Sequence, residues 1–470
     1  MSAILSDQFR FYNLEKFLST VSSNSVYLFT GRSKDWSPLT PAPTPLDNNA
    51  YLADMYDQMI SLKRVSSSNI IPVIKRINWE SGITYDMYRP DYTTGNTEGN
   101  SLYYPSKLSS NGYSTLNYGA TFYVMNEFYQ VYKCLYNGES PSNPNGVPST
   151  VEPTGITTSP FITSDGYKWK YMYTIPTFYV LNFINDYYVP VPYPNSSFPE
   201  EASVKNSSVD GAIDTLIVRN AGSGYNSGTY TNVSILGDGT GAKATIVVSN
   251  GQITSATVTS SGSGYTFGSI NLSTIGIGAG QNGQIEVIIP PKYGHGNSPW
   301  NELGAYRLMI SVSIPFNEPE FPTDTSYRRI GLIANPYNKS TTTVATSTDI
   351  AQTKSIVFSS TNGDFIVGEE INQSGTNAKG IVVSWDSSTK TLKYYQDRFT
   401  GTYQNNLVNF SGTTASFNVT GFSSNVVGTP ASYVQQGIEK SSGRILYIDN
   451  RLPVSRSINQ TENIKVVVEF

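Results

Sequence analysis

The chain has 470 residues, of which 14% are charged, and its formal net charge is −4 at pH 7. This balance excludes the basic footprint of a nucleic-acid-binding protein, so we predict no nucleic-acid partner. The length predicts about three domains, each able to bury a core. The single cysteine, Cys134, excludes an intrachain disulfide.

Tyrosine, glycine and proline are abundant, with 34, 39 and 26 residues, and favour many short strands joined by turns. The first residues lack the basic and apolar regions of a signal peptide. No stretch reaches the ~20 apolar residues of a membrane helix. We therefore predict a mainly β, multi-domain protein, made in a cytoplasm and without membrane insertion. Its sheets are expected to form antiparallel sandwiches, with an immunoglobulin-like arrangement as one form.

Residues 1–65 are predicted to hold the only two helices, both short. Apolar residues recur at i, i+3, i+4 and i+7 in two stretches: Leu14, Phe17, Leu18 and Val21, then Leu52, Met55, Tyr56 and Met59. Asp47 or Asn48 is predicted to cap the second helix. Residues 26–30 are predicted to form a strand between the helices, followed by a proline-rich connector over 38–45.

The first domain, 1–204, continues with tyrosine-rich strands, of which 162–176 (ITSDGYKWKYMYTIP) is the clearest. Asp165-Gly166 favours a tight turn. After the turn the residues alternate between an aromatic face and a face of Lys168, Lys170, Met172 and Thr174. Pro176 ends the pairing. Strands are also predicted at 70–77 and 122–136, an exposed loop at 140–160, and an edge strand or closing strap at 187–194.

Residues 205–290 are predicted to form an inserted β module of two similar halves. The sequence of 213–225, IDTLIVRNAGSGY, returns 40 residues later at 253–265 as ITSATVTSSGSGY. The two Gly-Ser-Gly segments are interpreted as hairpin turns, because no helix pattern and no GK[ST] follows them, as a phosphate loop requires. Asp238 is assigned to a tight turn, since one carboxylate falls short of a calcium site. We expect that deletion of 205–290 leaves the main body folded.

The rest of the chain alternates between the main body and a second inserted module. Residues 291–345 return to the body with strands at 308–314 and 327–333. Residues 346–425 are predicted to form a second β module, a small barrel or sandwich with strands at 364–369 and 378–383. Residues 426–470 complete the body with a strand at 443–448, a turn at 449–451 and a closing strand at 464–470.

The sequence offers little catalytic chemistry. His295 is the only histidine and is interpreted as a surface-loop residue. Cys134 lies within a predicted strand and is interpreted as buried. One histidine and one cysteine cannot supply a closed zinc ligand set. We predict no catalytic, cofactor-binding or metal-binding residues and no cofactor, and hence no enzyme.

Scattered charged residues leave one enzymatic alternative open. A pair of carboxylates for polysaccharide hydrolysis would come from Asp186, Asp324, Glu369 and Glu370, although a solvated surface is the favoured interpretation. The basic pairs Lys75-Arg76 and Arg328-Arg329 are expected to form salt bridges or interface contacts.

A second alternative is a host-receptor or glycan-binding role for the inserted modules. Tyrosine and tryptophan rings can stack on sugar rings. Tyr225, Tyr265 and Trp385 are the candidates for this stacking. The abundant tyrosines are equally typical of cores and of protein–protein interfaces.

Eight segments occur in an order that resembles a known family: GRSKDWS (31–37), KRINW (75–79), VYKCL (131–135), DGYKWKYMYTIP (165–176), YYVPVPYP (187–194), RRIGLIANP (328–336), GRILYIDNRLPV (443–454) and INQTENIKVVVEF (458–470). Together they resemble the baseplate wedge subunit of T-even-like contractile-tailed phages, the dimeric peripheral wedge protein. The resemblance covers 1–204, 291–345 and 430–470, and the two modules have no counterpart in it.

The resemblance implies a structural, non-enzymatic virion protein of the tail baseplate. Such a subunit pairs with itself, contacts other wedge proteins and helps the baseplate rearrange when the tail contracts. It carries no catalytic residues to transfer to this chain.

Overall fold

The computed structural model describes residues 7–36, 42–90, 120–193, 199–397 and 408–470. The described chain is mainly β and multi-domain. It divides into two compact units: unit 1 comprises Met1–Glu15, Ile71–Met309 and Val467–Phe470, and unit 2 comprises Lys16–Ile70 and Ile310–Val466. The five-segment division predicted from the sequence stays a prediction. Most of the connector predicted over 38–45 lies outside the described residues.

Five α-helices occur in the described ranges: α1 Asp7–Ser23, α2 Asn49–Asp57, α3 Thr177–Phe183, α4 Pro199–Asn206 and α5 Pro299–Leu303. The first two confirm the prediction, and Asn48 caps α2 by accepting the Tyr51 N–H at 2.8 Å. The prediction that no helix follows residue 65 was wrong. Helices α3 to α5 have five to eight residues, too few to show a full apolar stripe.

The strands are short, and they are numbered here in chain order: β1 Val26–Gly31, β2 Met59–Val65, β3 Ile70–Lys75, β4 Tyr123–Met125, β5 Gln130–Tyr136, β6 Phe161–Ile162, β7 Lys168–Thr174, β8 Tyr188–Pro190, β9 Thr215–Asn220, β10 Gly228–Ser234, β11 Leu236–Gly237, β12 Lys243–Ser249, β13 Gln252–Ser260, β14 Gly268–Ser269, β15 Gln284–Ile288, β16 Arg307–Ile314, β17 Thr325–Ala334, β18 Asp349–Ala351, β19 Lys354–Thr361, β20 Glu370–Gln373, β21 Lys379–Asp386, β22 Thr391–Tyr395, β23 Val419–Gly421, β24 Val427–Val434, β25 Arg444–Arg456 and β26 Glu462–Glu469.

An aromatic sheet in unit 1 has the order β4-β5-β7-β6, and its buried side chains belong to one large hydrophobic core. The hairpin between β6 and β7 confirms the predicted turn at Asp165-Gly166. Trp169, Tyr171 and Tyr173 are fully buried, and so is Met172 on the opposite face. Lys170 is only 3% exposed, so both faces of β7 are covered. The alternation of side chains in the sequence predicted which residues share a face of the strand. It did not predict that both faces would be buried.

The Asp165 carboxylate holds the β6–β7 turn together. Its Oδ2 accepts the N–H groups of Thr150 and Val151 at 2.8 and 3.0 Å, and its Oδ1 accepts the Thr163 hydroxyl at 2.5 Å. Burial acts to raise the pKa of Asp165, but these hydrogen bonds outweigh it and lower that pKa. The ionised side chain therefore ties the turn to the loop at 149–151.

Replacing Asp165 with alanine is expected to lower the free energy of unfolding by about 2–3 kcal/mol, because several donors lose a charged acceptor at once. Urea denaturation of the intact chain measures the change. Asp186→Ala is the matched control, since Asp186 is exposed, and it should change stability by less than about 0.5 kcal/mol. Equal effects of the two substitutions would show that the turn network contributes nothing.

A four-stranded sheet has the order β26-β16-β3-β8. The proline-rich β8 pairs with β3 through Val73 and Pro190 and stands at the edge, as the sequence predicted. The predicted strand at 122–136 is two strands, β4 and β5. Asn126 to Tyr129 form the turn between them.

In the repeat within 205–290, the strand that begins each half pairs with a strand from the other half. Strand β9 pairs with β15, whereas β13 pairs with β12 in the sheet β10-β12-β13. The Gly-Ser-Gly segments therefore follow β9 and β13 but do not join paired strands, so the hairpin interpretation was wrong. The Gly-Ser-Gly segments of both copies instead adopt the same left-handed backbone conformation, since Gly222 and Gly262 have φ of 62° and 60°. Ser223 and Ser263 bridge to Gln281 and Thr240.

Unit 2 contains a five-stranded sheet, ordered β18-β2-β1-β17-β25. Its core includes Tyr27, Phe29, Leu62 and Ile333, all fully buried. The turn predicted at 449–451 is wrong, because β25 continues through it as one strand, with an irregularity in its pairing to β17 between Asn450 and Val454. Pairing with β17 on both sides of this irregularity outweighs the turn tendency of an Asp-Asn dipeptide.

Unit 2 also contains a closed barrel, β19-β22-β21-β20-β23-β24, whose last strand, β24, lies beyond the bounds 346–425 predicted for the second module. The strand predicted at 378–383 is present as β21. The strand predicted at 364–369 is wrong, because these residues form a turn before β20. Glu369 is buried under that turn, where it accepts N–H bonds from Ile366 and Ser424 at 2.6 and 2.9 Å.

Candidate interaction surfaces

A buried ionic cluster in unit 1 contains the only histidine. The Lys133 ammonium on β5 donates to Glu302 Oε2 on α5 at 2.8 Å, and neither side chain is more than 3% exposed. Glu302 Oε1 accepts the N–H groups of Gly296 and Ser298 at 2.8 and 3.1 Å. The interpretation of His295 as a surface-loop residue was therefore wrong, because these bonds hold its loop against the core, where His295 is 6% exposed.

The charges of this cluster are fixed by its surroundings. Burial acts to raise the pKa of Glu302, but the Lys133 ammonium outweighs it and lowers that pKa to about 2. Burial lowers the pKa of His295 to about 4, and the neighbouring Lys133 charge acts in the same direction. His295 Nδ1 lies 3.8 Å from Glu302 Oε2, too far for a hydrogen bond. Burial lowers the pKa of Lys133, and the Glu302 carboxylate acts to raise it. The shifted pKa values keep Glu302 ionised and His295 neutral at pH 7.

Stability is expected to fall by about 3 kcal/mol between pH 6.5 and pH 4 because of His295. Its pKa is lower in the folded chain than in the unfolded chain. Only the unfolded chain therefore takes up a proton in this window, and the stability present above pH 6.5 is lost on acidification. Urea titrations from pH 7 to pH 5, above most carboxylate titrations, measure the upper part of this window, where a loss of about 2 kcal/mol is expected.

His295→Gln is the matched control, because the chain has no second histidine. The pH dependence between 6.5 and 5 should disappear in this variant. A slope that persists unchanged would show that His295 is not the group responsible.

The predicted basic pairs serve internal contacts in the structure. Arg329 is fully buried and donates to Asn450 at 3.0 Å and to the Tyr51 hydroxyl at 3.2 Å. Arg328 pairs with Asp35. Arg76 donates to the carbonyl of Asn185 at 3.1 Å. These contacts agree with the salt-bridge and structural interpretation.

The carboxylates considered for hydrolysis have different environments. Asp186 and Asp324 are exposed. Glu369 caps its own turn, and Glu370 pairs with Lys379 at 2.7 Å. In the described ranges no group of three or more His, Cys, Asp or Glu could hold a metal ion. Cys134 is fully buried, as predicted.

The aromatic residues proposed for sugar stacking are largely inaccessible. Tyr225 and Tyr265 are 7% and 3% exposed, so their predicted stacking on a sugar was wrong. A Cβ at Gly280 or Gly239 would collide with these two rings, and this close approach keeps the rings in the module core. Trp385 is partly buried and donates its indole N–H to Asp364 at 2.7 Å.

An exposed apolar turn lies at one end of the aromatic sheet. Phe128 and Tyr129 are 58% and 40% exposed at the turn between β4 and β5. Asn126 Oδ1 accepts the N–H groups of Phe128 and Gln130 at 3.0 and 2.9 Å, and Tyr129 has φ of 59°. The turn is therefore held rigidly although its two rings face solvent.

Helix α3 presents further exposed apolar side chains. Phe178 and Leu181 are 52% and 76% exposed, whereas Phe183 is 1% exposed and packs into the core. The Ile175 N–H donates to the Tyr129 carbonyl at 2.9 Å, which places the start of this helix close to the exposed turn. We call Phe128, Tyr129, Phe178 and Leu181 the apolar tip. Sequence reasoning did not identify these residues, since exposure of an apolar side chain leaves no signal in the pattern.

Strand β25 is the edge of its sheet in unit 2. A groove of about 660 Å³ runs between this strand and α2, with Leu46, Leu52 and Tyr447 in its lining. Trp36 donates its indole N–H to the Arg451 carbonyl at 2.9 Å and so covers part of the strand. Charged residues and Pro453 along β25 are typical of an edge protected against unspecific pairing.

No described helix meets the length and hydropathy needed to cross a bilayer. Residues 3–206 match the model of the phage Gp8 family, described as Bacteriophage T4, Gp8. The match confirms, over that part of the chain, the resemblance to a T4-like baseplate wedge subunit. It includes the aromatic sheet and the apolar tip. No curated protein matches the chain.

Proposed function

Because residues 3–206 match the family of a T4 baseplate wedge protein, we propose that this chain is a structural, non-catalytic subunit of a phage tail baseplate wedge. That match is the observation that carries the proposal. The chain would be made in the host cytoplasm and assembled into the virion tail. In the baseplate it would bind a second copy of the same chain and other wedge proteins, and it would rearrange with them when the tail contracts.

The packing of unit 1 suits a part that must keep its shape under load. Trp169 stacks on Tyr167 with ring centroids 5.3 Å apart, and Tyr132 meets Tyr171 edge-on at 5.8 Å. Such aromatic pairs add about 0.5–1.5 kcal/mol each beyond the area they bury. A sheet packed in this way supports the apolar tip rigidly.

We propose the apolar tip as a contact with a neighbouring wedge protein. Aromatic and large aliphatic side chains on a rigid support are the usual anchors of protein interfaces. The tip lies within the matched residues, which are the part of the chain that the family shares. Phe267, which is 60% exposed in the inserted module, lies outside them.

Complementation of a phage that lacks this gene tests the proposal. The double variant Phe178→Ser, Leu181→Lys is expected to fold with an unchanged melting temperature but to yield few tails with baseplates. The matched control Phe267→Lys should complement normally. Full complementation by the double variant would exclude the tip as a contact. Complete baseplates in the phage without the gene would overturn the wedge role itself.

Self-association is tested separately by sedimentation equilibrium of the purified chain. We expect a species of twice the 51.5 kDa chain mass, formed through one self-complementary patch. A monomer at all concentrations would contradict the proposed pairing. A trimer would instead favour a fibre or spike component.

A further inference from the structure

Two equivalent strands of the repeat run side by side in unit 1 without forming a ladder. Strands β9 and β13 each pair on one edge only, with β15 and β12. At one end the Ile213 N–H donates to the Ser261 carbonyl at 2.8 Å, and at the other the Ile253 N–H donates to the Ala221 carbonyl at 2.9 Å. Ile213 and Ile253 occupy equivalent positions in the two copies of the 40-residue repeat, and so do Ala221 and Ser261. A local two-fold axis therefore passes between the strands, near Ile217 and Thr257.

No ladder joins β9 to β13 in the described sheets. Residues of both strands line a slot of about 210 Å³. Residues 254–258 form one side and Thr215, Leu216 and Val218 the other. Tyr136, Ile162 and Lys168 of the aromatic sheet, together with Glu139, Ser140, Gly166 and Asp214, complete the lining.

The lining combines hydroxyl groups with apolar surface. Thr254, Ser255 and Thr257 are exposed on the β13 side, and Leu216 and Val218 supply apolar surface opposite. The Lys168 ammonium donates to the backbone carbonyl of Asp214, and an ammonium has three N–H donors in all. Hydroxyls, a lysine donor and an apolar wall together match the mixed surface of a sugar ring.

Other ligand classes fit the slot less well. Glu139 is paired with Arg219, and Lys168, the one lysine or arginine among the lining residues, already donates to the Asp214 carbonyl. A single, already bonded ammonium disfavours a phosphate or another anion. The slot is smaller than the ~300–1,000 Å³ of pockets for drug-sized ligands, so it suits one small ring.

We propose that the slot between β9 and β13 binds a single hexose or amino-sugar unit. Most of the slot lining, including the residues of β9 and β13, lies outside residues 3–206, whereas Tyr136 and Lys168 lie within the family match. Binding of a sugar does not require assembly into a wedge, so the failure of either proposal leaves the other intact. Binding uses the slot and not the rings of Tyr225 and Tyr265, which are buried and are not among the residues that line it.

Saturation-transfer NMR on the intact chain tests this site, with D-glucose, D-galactose and N-acetyl-D-glucosamine as probes. We expect transfer to at least one of them. Thr257→Trp should abolish that transfer by filling the slot, and Lys168→Met should reduce it at least about threefold. The matched controls Thr229→Trp and Lys243→Met change an exposed threonine and a lysine of the same module outside the slot. Both should leave the transfer unchanged.

Absence of transfer to all three sugars would overturn the proposal, as would transfer that survives Thr257→Trp in a folded protein. Melting temperatures establish whether each variant is folded. Should Thr257→Trp fail to fold, Lys168→Met decides: undiminished transfer excludes the slot, and reduced transfer with normal Lys243→Met binding supports it.

Discussion

Replacing Glu302 with alanine is expected to lower the free energy of unfolding by about 3–5 kcal/mol, because the substitution leaves the Lys133 charge buried without its partner. The same change removes the acceptor for the N–H groups of Gly296 and Ser298. Both losses weaken the attachment of the 295–298 loop to the aromatic sheet. Equilibrium urea denaturation followed by tyrosine and tryptophan fluorescence measures the change.

The control for Glu302 is a surface ion pair of similar length. Glu439 bonds Lys339 at 2.9 Å, but both side chains are about one-third exposed. Glu439→Ala should therefore cost less than about 1 kcal/mol. Glu302→Gln keeps an acceptor for the loop and should fall between the two alanine variants. A loss below about 1 kcal/mol in Glu302→Ala would contradict the structural role of the buried cluster.

Excision of residues 221–283, with Asn-Gly inserted between Asn220 and Gln284, is expected to leave unit 1 folded. Asn220 and Gln284 are paired at the end of the β9–β15 ladder, and a two-residue Asn-Gly turn fits that position. The remaining hairpin keeps Ile217 and Ile288 in the main core of unit 1. Soluble expression, circular dichroism and a melting temperature within about 5 °C of the intact chain would confirm this.

Deletion of all of 205–290 is the matched comparison and is expected to give insoluble protein. It removes Ile217 and Ile288 from the core and the Thr215 hydroxyl that donates to the Leu135 carbonyl at 3.0 Å. The structure thus argues against the sequence-based expectation that this larger deletion leaves the body folded. Equal solubility of the two variants would show that β9 and β15 are dispensable.

The β6–β7 hairpin could be predicted from the sequence because its signals are local. Asp165-Gly166 marks the turn, and the following residues alternate over a full strand. The burial of Lys170 and His295 could not be predicted in the same way. His295 packs edge-on against Tyr88, and Glu302, which holds its loop, pairs with Lys133; both contacts join residues far apart in the sequence. Composition does not show which polar residues will meet in a core.

The repeat at 213–225 and 253–265 was visible in the sequence, but its crosswise pairing was not. Two copies of a strand and a Gly-Ser-Gly segment are equally compatible with local hairpins. Only the pairing of β9 with β15, and of β13 with β12, shows that the slot lies between equivalent strands. The apolar tip was missed for a related reason, since Leu181 looks like a core residue until its exposure is known.

Mass spectrometry of baseplates purified from the phage that encodes this chain tests the wedge role most directly. We predict that the chain is present at a stoichiometry equal to a whole number of copies per wedge and remains bound after tail contraction. Its absence from purified baseplates, or its presence only in fractions from the host cell, would contradict the wedge role.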